Sequence, residues 1–370
     1  ELSTDLYLPR GSGPFPTLLA RTPYSNNMEP LVSRARQLAQ QGYAVALQDV
    51  RGRWDSGGEY YPFREGADGF DTQQWLAGQS WCNGRIGMFG GSYLGATQWQ
   101  SAACGSPHLQ CIAPRVICTD YYSGLMYPGG AFQLNVMATW GMRTNARTGQ
   151  SIEHHAWSEL FRTLPVAALA ERGGRDLAFW QDWTDHPEDD EYWAEFDGEA
   201  RWADVRVPAL NMGGWYDLYA AQAFTNFNGV RQHGGNAQTR HSRLIVGPWP
   251  HALSQSTRTG DVDFGRQSLV DLDALEQRWF DAWLRDVDTG LLREPPLRLF
   301  IMGANVWRDE HEWPLARTVF TPYYLHEDGS LRSREPEQDS SHTTYRFDPA
   351  HPVPSIGGNV SSLRDVAPLP

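Results

Sequence analysis

The chain has 370 residues and a formal net charge of −13, and 41% of its residues are hydrophobic. This length and composition are typical of a globular protein with two or three domains. The negative charge argues against nucleic-acid binding by phosphate neutralisation, and no apolar run approaches the roughly 18 residues of a membrane helix. The sequence contains no lysine, so all 31 of its Lys or Arg positions are arginine. This excludes a Walker phosphate loop, a Schiff-base enzyme and a kinase ATP site.

In chain order, the first 118 residues alternate between short apolar runs and segments long enough for helices. Strands separated by helices are typical of a mostly parallel sheet that is covered on both faces. The sequence therefore predicts an α/β fold with a doubly wound sheet. The predicted strands are 16–20, 43–49, 85–89 and 112–117, and the predicted helices are 29–41, 68–77 and 96–103.

Residues 119–203 have few β-branched residues and several helix-like stretches, which predict a helical insertion. The strand pattern returns at 209–212 and 244–246, before a long amphipathic helix at 268–287. From about residue 297 the pattern is β-like, which predicts the start of an all-β module. The predicted domains are the first part of the α/β domain at 1–118, a helical cap at 119–203, the second part of the α/β domain at 204–293 and an incomplete β domain at 294–370.

The four cysteines do not indicate a disulfide framework or a metal centre. Cys82, Cys104, Cys111 and Cys118 are few for a chain of this length, and they include no CxxC pair. No histidine stands at zinc-ligand spacing from them. We therefore predict structural thiols and no metal site.

The segment MFGGSYLGA at 88–96 lies between a predicted strand and a predicted helix. A sharp turn in this context lifts a serine hydroxyl above the sheet, and the dipole of the following helix stabilises a developing anion. The segment departs from the G-x-S-x-G pattern because Leu94 stands at the second glycine position and Gly95 follows it. Two interpretations remain at this point. Ser92 is a catalytic nucleophile, or it is a helix-capping serine in a glycine-rich turn.

Two later strands are each followed by a residue that a serine nucleophile needs. Asp217 follows the strand at 209–212, and His251 follows the strand at 244–246. The order Ser, Asp, His, with the acid and the base on loops after strands, is that of doubly wound hydrolases. Asp120, which also follows a strand, is the alternative partner for the histidine.

These three segments resemble the cocaine esterase-like (CocE/NonD) hydrolases, relatives of the S15 X-prolyl dipeptidyl aminopeptidases and of the α-amino acid ester hydrolases. The family pattern G-x-S-Y-x-G matches 90–95, G-W-Y-D matches 214–217 and G-P-W-x-H matches 247–251. The resemblance covers nearly the whole chain. Further similar segments are 21–24, 48–52, 56–58, 81–84, 303–307 and 312–314.

The resemblance implies an α/β-hydrolase domain with an inserted helical cap and a C-terminal jelly-roll-like β domain. It implies Ser92 as the nucleophile, His251 as the base and Asp217 as the residue that orients the base. It also implies an oxyanion hole formed by the backbone N–H of Tyr93 and the hydroxyl of Tyr24. The residues implied to contact the substrate are Met126, Trp140, Trp215 and Tyr219. Packing in the core or in a loop is the alternative role for these four residues and for Tyr24.

The resulting hypothesis is a serine esterase that forms an acyl-enzyme on Ser92 and uses no metal and no organic cofactor. Its expected partner is a small ester with a hydrophobic or aromatic acyl group. We expect it to bind neither nucleic acid nor a membrane. A homo-oligomer, or a second chain that completes the β domain, is a further candidate partner, and a clipped chain is the alternative explanation of the incomplete β domain. With few cysteines and no visible signal sequence, a cytoplasmic location is expected.

Several alternatives remain open at the level of the sequence. Within acyl transfer they are an amide or β-lactam acylase, an α-amino acid ester hydrolase and an X-prolyl dipeptidyl aminopeptidase. A substrate with a free α-amino group needs a carboxylate near its acyl pocket. The acidic run at 188–191 is predicted to be a solvated loop instead. A Trp-rich binding module without catalysis is the alternative from a different class.

Overall fold

The computed structural model describes residues 1–337, 342, 344–351 and 353. The strands are β1 (Thr4–Tyr7), β2 (Phe15–Thr22), β3 (Ala44–Asp49), β4 (Cys82–Gly91), β5 (Leu109–Arg115), β6 (Leu210–Gly214), β7 (Arg243–Gly247), β8 (Arg258–Thr259), β9 (Val262–Asp263), β10 (Leu297–Ile301), β11 (Val306–Glu310), β12 (Tyr324–Leu325) and β13 (Leu331–Arg332). The α-helices are α1 (Glu29–Gln40), α2 (Gly66–Ala77), α3 (Tyr93–Ala102), α4 (Leu134–Thr144), α5 (Trp157–Leu160), α6 (Leu169–Arg172), α7 (Ala178–Asp185), α8 (Glu191–Ala194), α9 (Ala220–His233) and α10 (Leu272–Leu284).

Nine of these strands form one sheet in the order β1-β3-β2-β4-β5-β6-β7-β10-β11. All neighbouring pairs from β3 to β10 are parallel, and the outermost strands β1 and β11 pair antiparallel at the two edges. The predicted α/β class with a mostly parallel sheet is confirmed. Because parallel strands end at the same edge, the loops after β4, β6 and β7 come together there.

The sheet is buried on both faces, as its unbroken apolar runs predict. Strands β3, β6 and β7 are buried along their whole length. Helix α1 covers one face with apolar residues spaced by three or four positions, and it stops before Gly42, which has a positive φ of 91°. Helices α1 and α10 pack in one core cluster, α2 and most of α3 pack in a second, and α9 contributes to a third.

Helices α4 to α8 form the insertion between β5 and β6. Large aromatic side chains fill its interior, with Trp180, Trp183 and Trp193 almost completely buried. These residues belong to the same core cluster as α2 and α3. The insertion is therefore packed directly onto the sheet domain. Among the residues described, no helix is both long enough and apolar enough to cross a membrane.

Outside the insertion, two helices differ by three residues or more at one end or both from their sequence predictions, and a third was not predicted. Helix α3 begins at Tyr93 rather than at 96, because the chain turns sharply at Ser92. Helix α10 is shorter than the predicted 268–287, since the Asp271 side chain caps its first turn by accepting the Ala274 N–H at 2.9 Å. The sequence did not predict α9.

Strands β10 and β11 extend the main sheet, although the β-like pattern from about residue 297 predicted a separate module. Strand β10 pairs parallel with β7, and β11 pairs antiparallel with β10. Local alternation of apolar residues does not specify which sheet a strand joins. The four predicted domain ranges stay a prediction, and most of the last range beyond residue 337 lies outside the described residues.

Candidate active site

Ser92 occupies a sharp turn between the end of β4 and the start of α3. Its φ of 55° and ψ of −128° are unusual for a residue with a Cβ. Backbone strain of this kind costs about 1–3 kcal/mol and persists only where the surrounding structure fixes it. The Ser92 N–H donates to the Arg115 carbonyl at 2.8 Å, which holds the turn against the neighbouring strand β5.

Gly95 explains the displaced glycine in this motif. A Cβ at Gly95 would lie 2.7 Å from Ile117 Cγ2 and 3.2 Å from the Arg115 carbonyl oxygen. Helix α3 therefore approaches the end of β5 more closely than any side chain at this position allows. The motif needs its second glycine at residue 95 because this is where the helix meets the neighbouring strand.

The loops after β6 and β7 are joined by backbone contacts. The Trp215 N–H donates to the Gly247 carbonyl at 2.9 Å, and the Tyr216 N–H donates to the Trp249 carbonyl at 3.1 Å. A Cβ at Gly214 would lie only 2.0 Å from that Trp249 oxygen, so a glycine is required here. This close approach fixes the distance between the loop that carries Asp217 and the loop that carries His251.

His251 and Asp217 form a hydrogen-bonded pair. The His251 Nδ1 lies 2.7 Å from Asp217 Oδ1, and the Asp217 side chain is fully buried. A buried carboxylate on Nδ1 favours the tautomer with its proton on Nδ1, which leaves Nε2 free to accept a proton. Asp120 does not contact the histidine. It accepts the N–H groups of Tyr122 and Ser123 in its own turn.

A cavity of about 50 Å³ brings the predicted residues together. Ser92, His251 and Tyr24 all line it, and so do Trp140 and Tyr219. The rest of its lining comes from Tyr93 and from the apolar residues Phe63, Ile117, Leu125, Val136, Met137 and Leu218. Among the described residues, no Asp or Glu lines this cavity. We call it the front cavity.

The Tyr24 hydroxyl has an unambiguous hydrogen-bonding role. The Trp140 indole N–H, which is a donor only, donates to the Tyr24 oxygen at 2.9 Å. The Tyr24 proton is therefore left to donate to another group. Burial raises the pKa of Tyr24, and hydrogen bonds with Trp140 and Ser92 oppose that increase. Tyr24 is thus a neutral donor beside Ser92 at neutral pH.

The backbone N–H of Tyr93 is the second donor at this point. Tyr93 is the first residue of α3, where an N–H has no carbonyl acceptor within the helix. The helix dipole adds positive potential at the same end. These two features favour negative charge next to Ser92.

Two of the residues implied to contact the substrate lie elsewhere. Trp215 stacks on Phe224 at 5.4 Å between ring centres and donates its indole N–H to the Phe300 carbonyl at 2.8 Å. It braces the loop of Asp217 against β10 instead of facing the front cavity. Met126 is fully buried in the core and also does not line that cavity.

Comparison with known proteins identifies the family. The model of the X-Pro dipeptidyl-peptidase (S15) family matches residues 1–253. The chain belongs to the S15 family. It is 35% identical over 393 residues to the cocaine esterase of Rhodococcus sp. (strain MB1 Bresler), an alignment that covers 97% of this chain and 67% of that protein. It is 27% identical to a putative serine esterase of Mycobacterium bovis over 94% of this chain and 64% of that protein.

Solved structures of other proteins share the fold of this S15 chain. An aminopeptidase from a marine sediment Thaumarchaeota archaeon superposes with a TM-score of 0.79 and 23% identity, over 99% of this chain and 66% of that one. An α-amino acid ester hydrolase superposes with a TM-score of 0.74 and 24% identity, over 95% and 64%. The predicted α/β-hydrolase fold and the resemblance to CocE/NonD hydrolases are therefore confirmed. The chain spans about two thirds of the length of these relatives.

Sequence reasoning missed a buried polar network behind the turn of Ser92. The Tyr93 hydroxyl donates to Glu65 Oε1 and accepts the Phe63 N–H, the latter at 2.8 Å. Burial raises the pKa of the Glu65 carboxyl to about 7. Arg21, which is completely buried, donates to the Glu65 carbonyl at 2.6 Å. A single glutamate before a helix is typical of a surface position, so the sequence gave no indication that Glu65 is buried.

Glu65→Gln will reduce the pH dependence of stability of this S15 protein. Folded Glu65 keeps its proton up to about pH 7, whereas an unfolded glutamate loses it near 4.5. Between these two pH values the folded state therefore binds one proton more than the unfolded state. Glu65 stabilises the folded state fully below pH 4.5, and this stabilisation is lost as the pH rises through 7. Glutamine stays neutral at every pH. From pH 5 to pH 8, the free energy of unfolding of the variant will therefore rise relative to that of wild type by on the order of 2 kcal/mol.

Urea denaturation of both proteins at the two pH values measures this difference. Asp49, whose carboxyl pKa burial raises to about 6, is present in both proteins and cancels in the comparison. Parallel pH profiles for the two proteins would show that Glu65 does not titrate in this range.

Proposed function

We propose that this S15 protein is a serine hydrolase that cleaves carboxylic esters with a hydrophobic or aromatic acyl group. The observation that carries the proposal is that Ser92, His251 and Tyr24 line one largely apolar cavity, and that His251 is hydrogen-bonded to the buried Asp217. The similarity to a cocaine esterase and to a putative serine esterase supports ester hydrolysis. The apolar lining supports a hydrophobic acyl group.

The chemistry follows from the roles of the individual atoms. His251 Nε2 takes the proton of the Ser92 hydroxyl while Ser92 Oγ attacks the ester carbonyl carbon. The carbonyl oxygen becomes an oxyanion, which the Tyr93 N–H and the Tyr24 O–H stabilise. His251 then gives its proton to the departing alcohol, and the acyl group remains on Ser92. Water repeats the sequence and releases the carboxylic acid.

No carboxylate lines the front cavity among the described residues, which argues against a substrate whose free α-amino group is held in that cavity. A desolvated ammonium needs a negative partner, and the acidic run at 188–191 is exposed to solvent. The S15 family model and the aminopeptidase of similar fold keep dipeptidyl aminopeptidase activity as the second candidate. The two candidates differ in one measurable property, the response to an amino-terminal charge on the acyl side.

Hydrolysis of matched chromogenic substrates tests the proposal. We expect a burst of p-nitrophenol from p-nitrophenyl butyrate and benzoate, and slow or no release of p-nitroaniline from Gly-Pro-p-nitroanilide. An alkyl phosphonate should label Ser92 in the same preparation. Faster turnover of Gly-Pro-p-nitroanilide than of the esters would favour the aminopeptidase, and absence of both burst and label would favour a binding protein without catalysis.

Tyr24→Phe will lower kcat for ester hydrolysis by about 10²–10³-fold with little change in KM. Removing one oxyanion donor has an effect of this size because the donor acts mainly in the transition state. Steady-state kinetics on p-nitrophenyl butyrate measure the change. Tyr127→Phe is the matched control, since Tyr127 is a buried tyrosine that donates to the Trp183 carbonyl at 2.8 Å inside the insertion. Equal losses in both variants would point to a general effect on folding, and the oxyanion role of Tyr24 would be wrong.

A further inference from the structure

A second, larger pocket lies behind the front cavity. Its volume is about 250 Å³, and we call it the rear pocket. Helix α3 and the end of the insertion supply its apolar walls, which include Trp99, Phe196 and Trp202. Four charged residues also line it, Arg64, Glu195, Asp197 and Arg201. The side chains of Arg64, Glu195 and Arg201 are at least 40% exposed, so these charges face solvent. Nothing in the proposed mechanism uses this space.

Phe63 separates the two spaces. Among the described residues it is the one side chain that lines both the front cavity and the rear pocket. Its ring centre lies 5.0 Å from that of Tyr93 and 5.7 Å from that of Trp140, which both line the front cavity. On the other side it lies 4.4 Å from the ring centre of Tyr121, which lines the rear pocket.

The backbone of Phe63 is fixed in an unusual conformation. Its φ is 65°, which a bulky residue adopts rarely and at a cost in energy. Two side chains hold it there. The Tyr93 hydroxyl accepts the Phe63 N–H at 2.8 Å, and the Gln100 amide donates to the Phe63 carbonyl at 2.9 Å. The fold therefore maintains the phenyl ring in this position at the expense of backbone strain.

The front cavity alone is small for the proposed substrates. Its volume of about 50 Å³ is comparable to that of one or two water molecules, whereas ordinary ligand pockets have roughly 300–1,000 Å³. The two spaces together reach the lower end of that range. A ring or a long alkyl chain attached to the ester carbonyl exceeds the front cavity, and Phe63 is the lining residue that borders the rear pocket.

We propose that Phe63 is the residue that determines the size of the acyl group, and that the rear pocket receives the distal part of a long or aromatic acyl group when the Phe63 side chain moves aside. This inference rests on the proposed esterase function. Short acyl groups fit in front of Phe63. Longer ones must displace it, so their turnover carries an additional cost that short esters avoid.

The experiment compares kcat/KM for p-nitrophenyl acetate, octanoate and benzoate in wild type and in Phe63→Ala. We expect the octanoate-to-acetate and benzoate-to-acetate ratios to rise at least tenfold in the variant, because each methylene in an apolar pocket contributes about tenfold or more. Phe63→Leu, a milder change, should shift the ratios in the same direction by less. Unchanged ratios in both variants would overturn the proposal.

Ala103 and Val136 supply the controls that locate the acyl group. Ala103 lines only the rear pocket, so Ala103→Leu in the Phe63→Ala background should reverse the gain for octanoate without affecting acetate. Val136 lines only the front cavity, so any gain from Val136→Ala should persist when Ala103→Leu is added. If Ala103→Leu leaves the octanoate gain intact, the acyl group does not enter the rear pocket.

Acetate hydrolysis separates this inference from the proposed function. Hydrolysis that depends on Ser92, together with unchanged ratios, would reject the role of Phe63 and leave the esterase proposal standing. Absence of Ser92-dependent hydrolysis with all three esters in wild type and in both Phe63 variants would reject the esterase proposal, and the inference with it.

Discussion

Replacing Ser92 by alanine will lower kcat for ester hydrolysis by about a million-fold, the size of the loss when the nucleophile of a catalytic triad is removed. The reason is that no other group at this position can form the acyl-enzyme. The cavity and the oxyanion donors remain, so a small residual rate over water is expected. The measurement is the burst of p-nitrophenol together with phosphonate labelling, and both should disappear.

Ser101→Ala is the matched control for this experiment. Ser101 lies on the same helix α3, is completely buried, and its hydroxyl has no hydrogen-bond partner in the part of the chain that is described. Its removal should leave the burst intact. A burst that survives in Ser92→Ala would show that another residue carries the chemistry, and the assignment of the nucleophile would fall.

Asp217→Asn will lower kcat by about 10⁴-fold with little change in KM. An asparagine at this position can present its NH₂ group to the histidine, which favours the tautomer with the proton on Nε2. In that tautomer Nε2 already carries a proton and Nδ1 accepts from the asparagine, so neither nitrogen can take the Ser92 proton. Steady-state kinetics measure the loss, and phosphonate labelling of Ser92 should slow in parallel because it needs the same base.

Asp120→Asn tests the competing assignment in the same assay. The Asp120 carboxylate accepts backbone N–H groups of its own turn, so the variant should retain most of the wild-type kcat. A large loss in Asp120→Asn with a small loss in Asp217→Asn would reverse the two roles. Comparable large losses would instead indicate that both changes disturb the fold.

The parts of the site that the sequence predicted are those that local patterns encode. Ser92 stands in a glycine-rich turn between a strand and a helix, and Asp217 and His251 each follow an apolar run that ends at the same edge of the sheet. A parallel sheet converts position along the chain into position at that edge. The sequence therefore placed three distant residues together without any knowledge of the contacts between them.

The missed features depend on contacts that local patterns do not encode. Glu65 and Phe63 gain their roles only because the Tyr93 hydroxyl lies between them. Helix α9 escaped prediction because it buries polar residues as well as apolar ones. Asn226 in this helix donates to the Ile117 carbonyl at 2.9 Å and bonds to Thr119, so its burial is satisfied by partners about a hundred residues away.

Trp215 shows that a residue of the motif can have a packing role. It stands two positions before Asp217, and its position in a family motif suggested a role in the pocket. In the structure, Trp215 packs between α9 and the strand β10. Trp215 thus fixes the loop that carries Asp217.

The pairing of β10 with β7 makes the segment after residue 294 part of the scaffold that positions His251. The loop that carries His251 leaves β7, and β10 and β11 cover the side of β7 that would otherwise be the open edge of the sheet. Phe300 in β10 also supplies the carbonyl that anchors Trp215. A boundary at residue 294 would consequently cut through the sheet whose strands precede the loops of Asp217 and His251. A fragment that keeps this sheet whole extends at least to the end of β11.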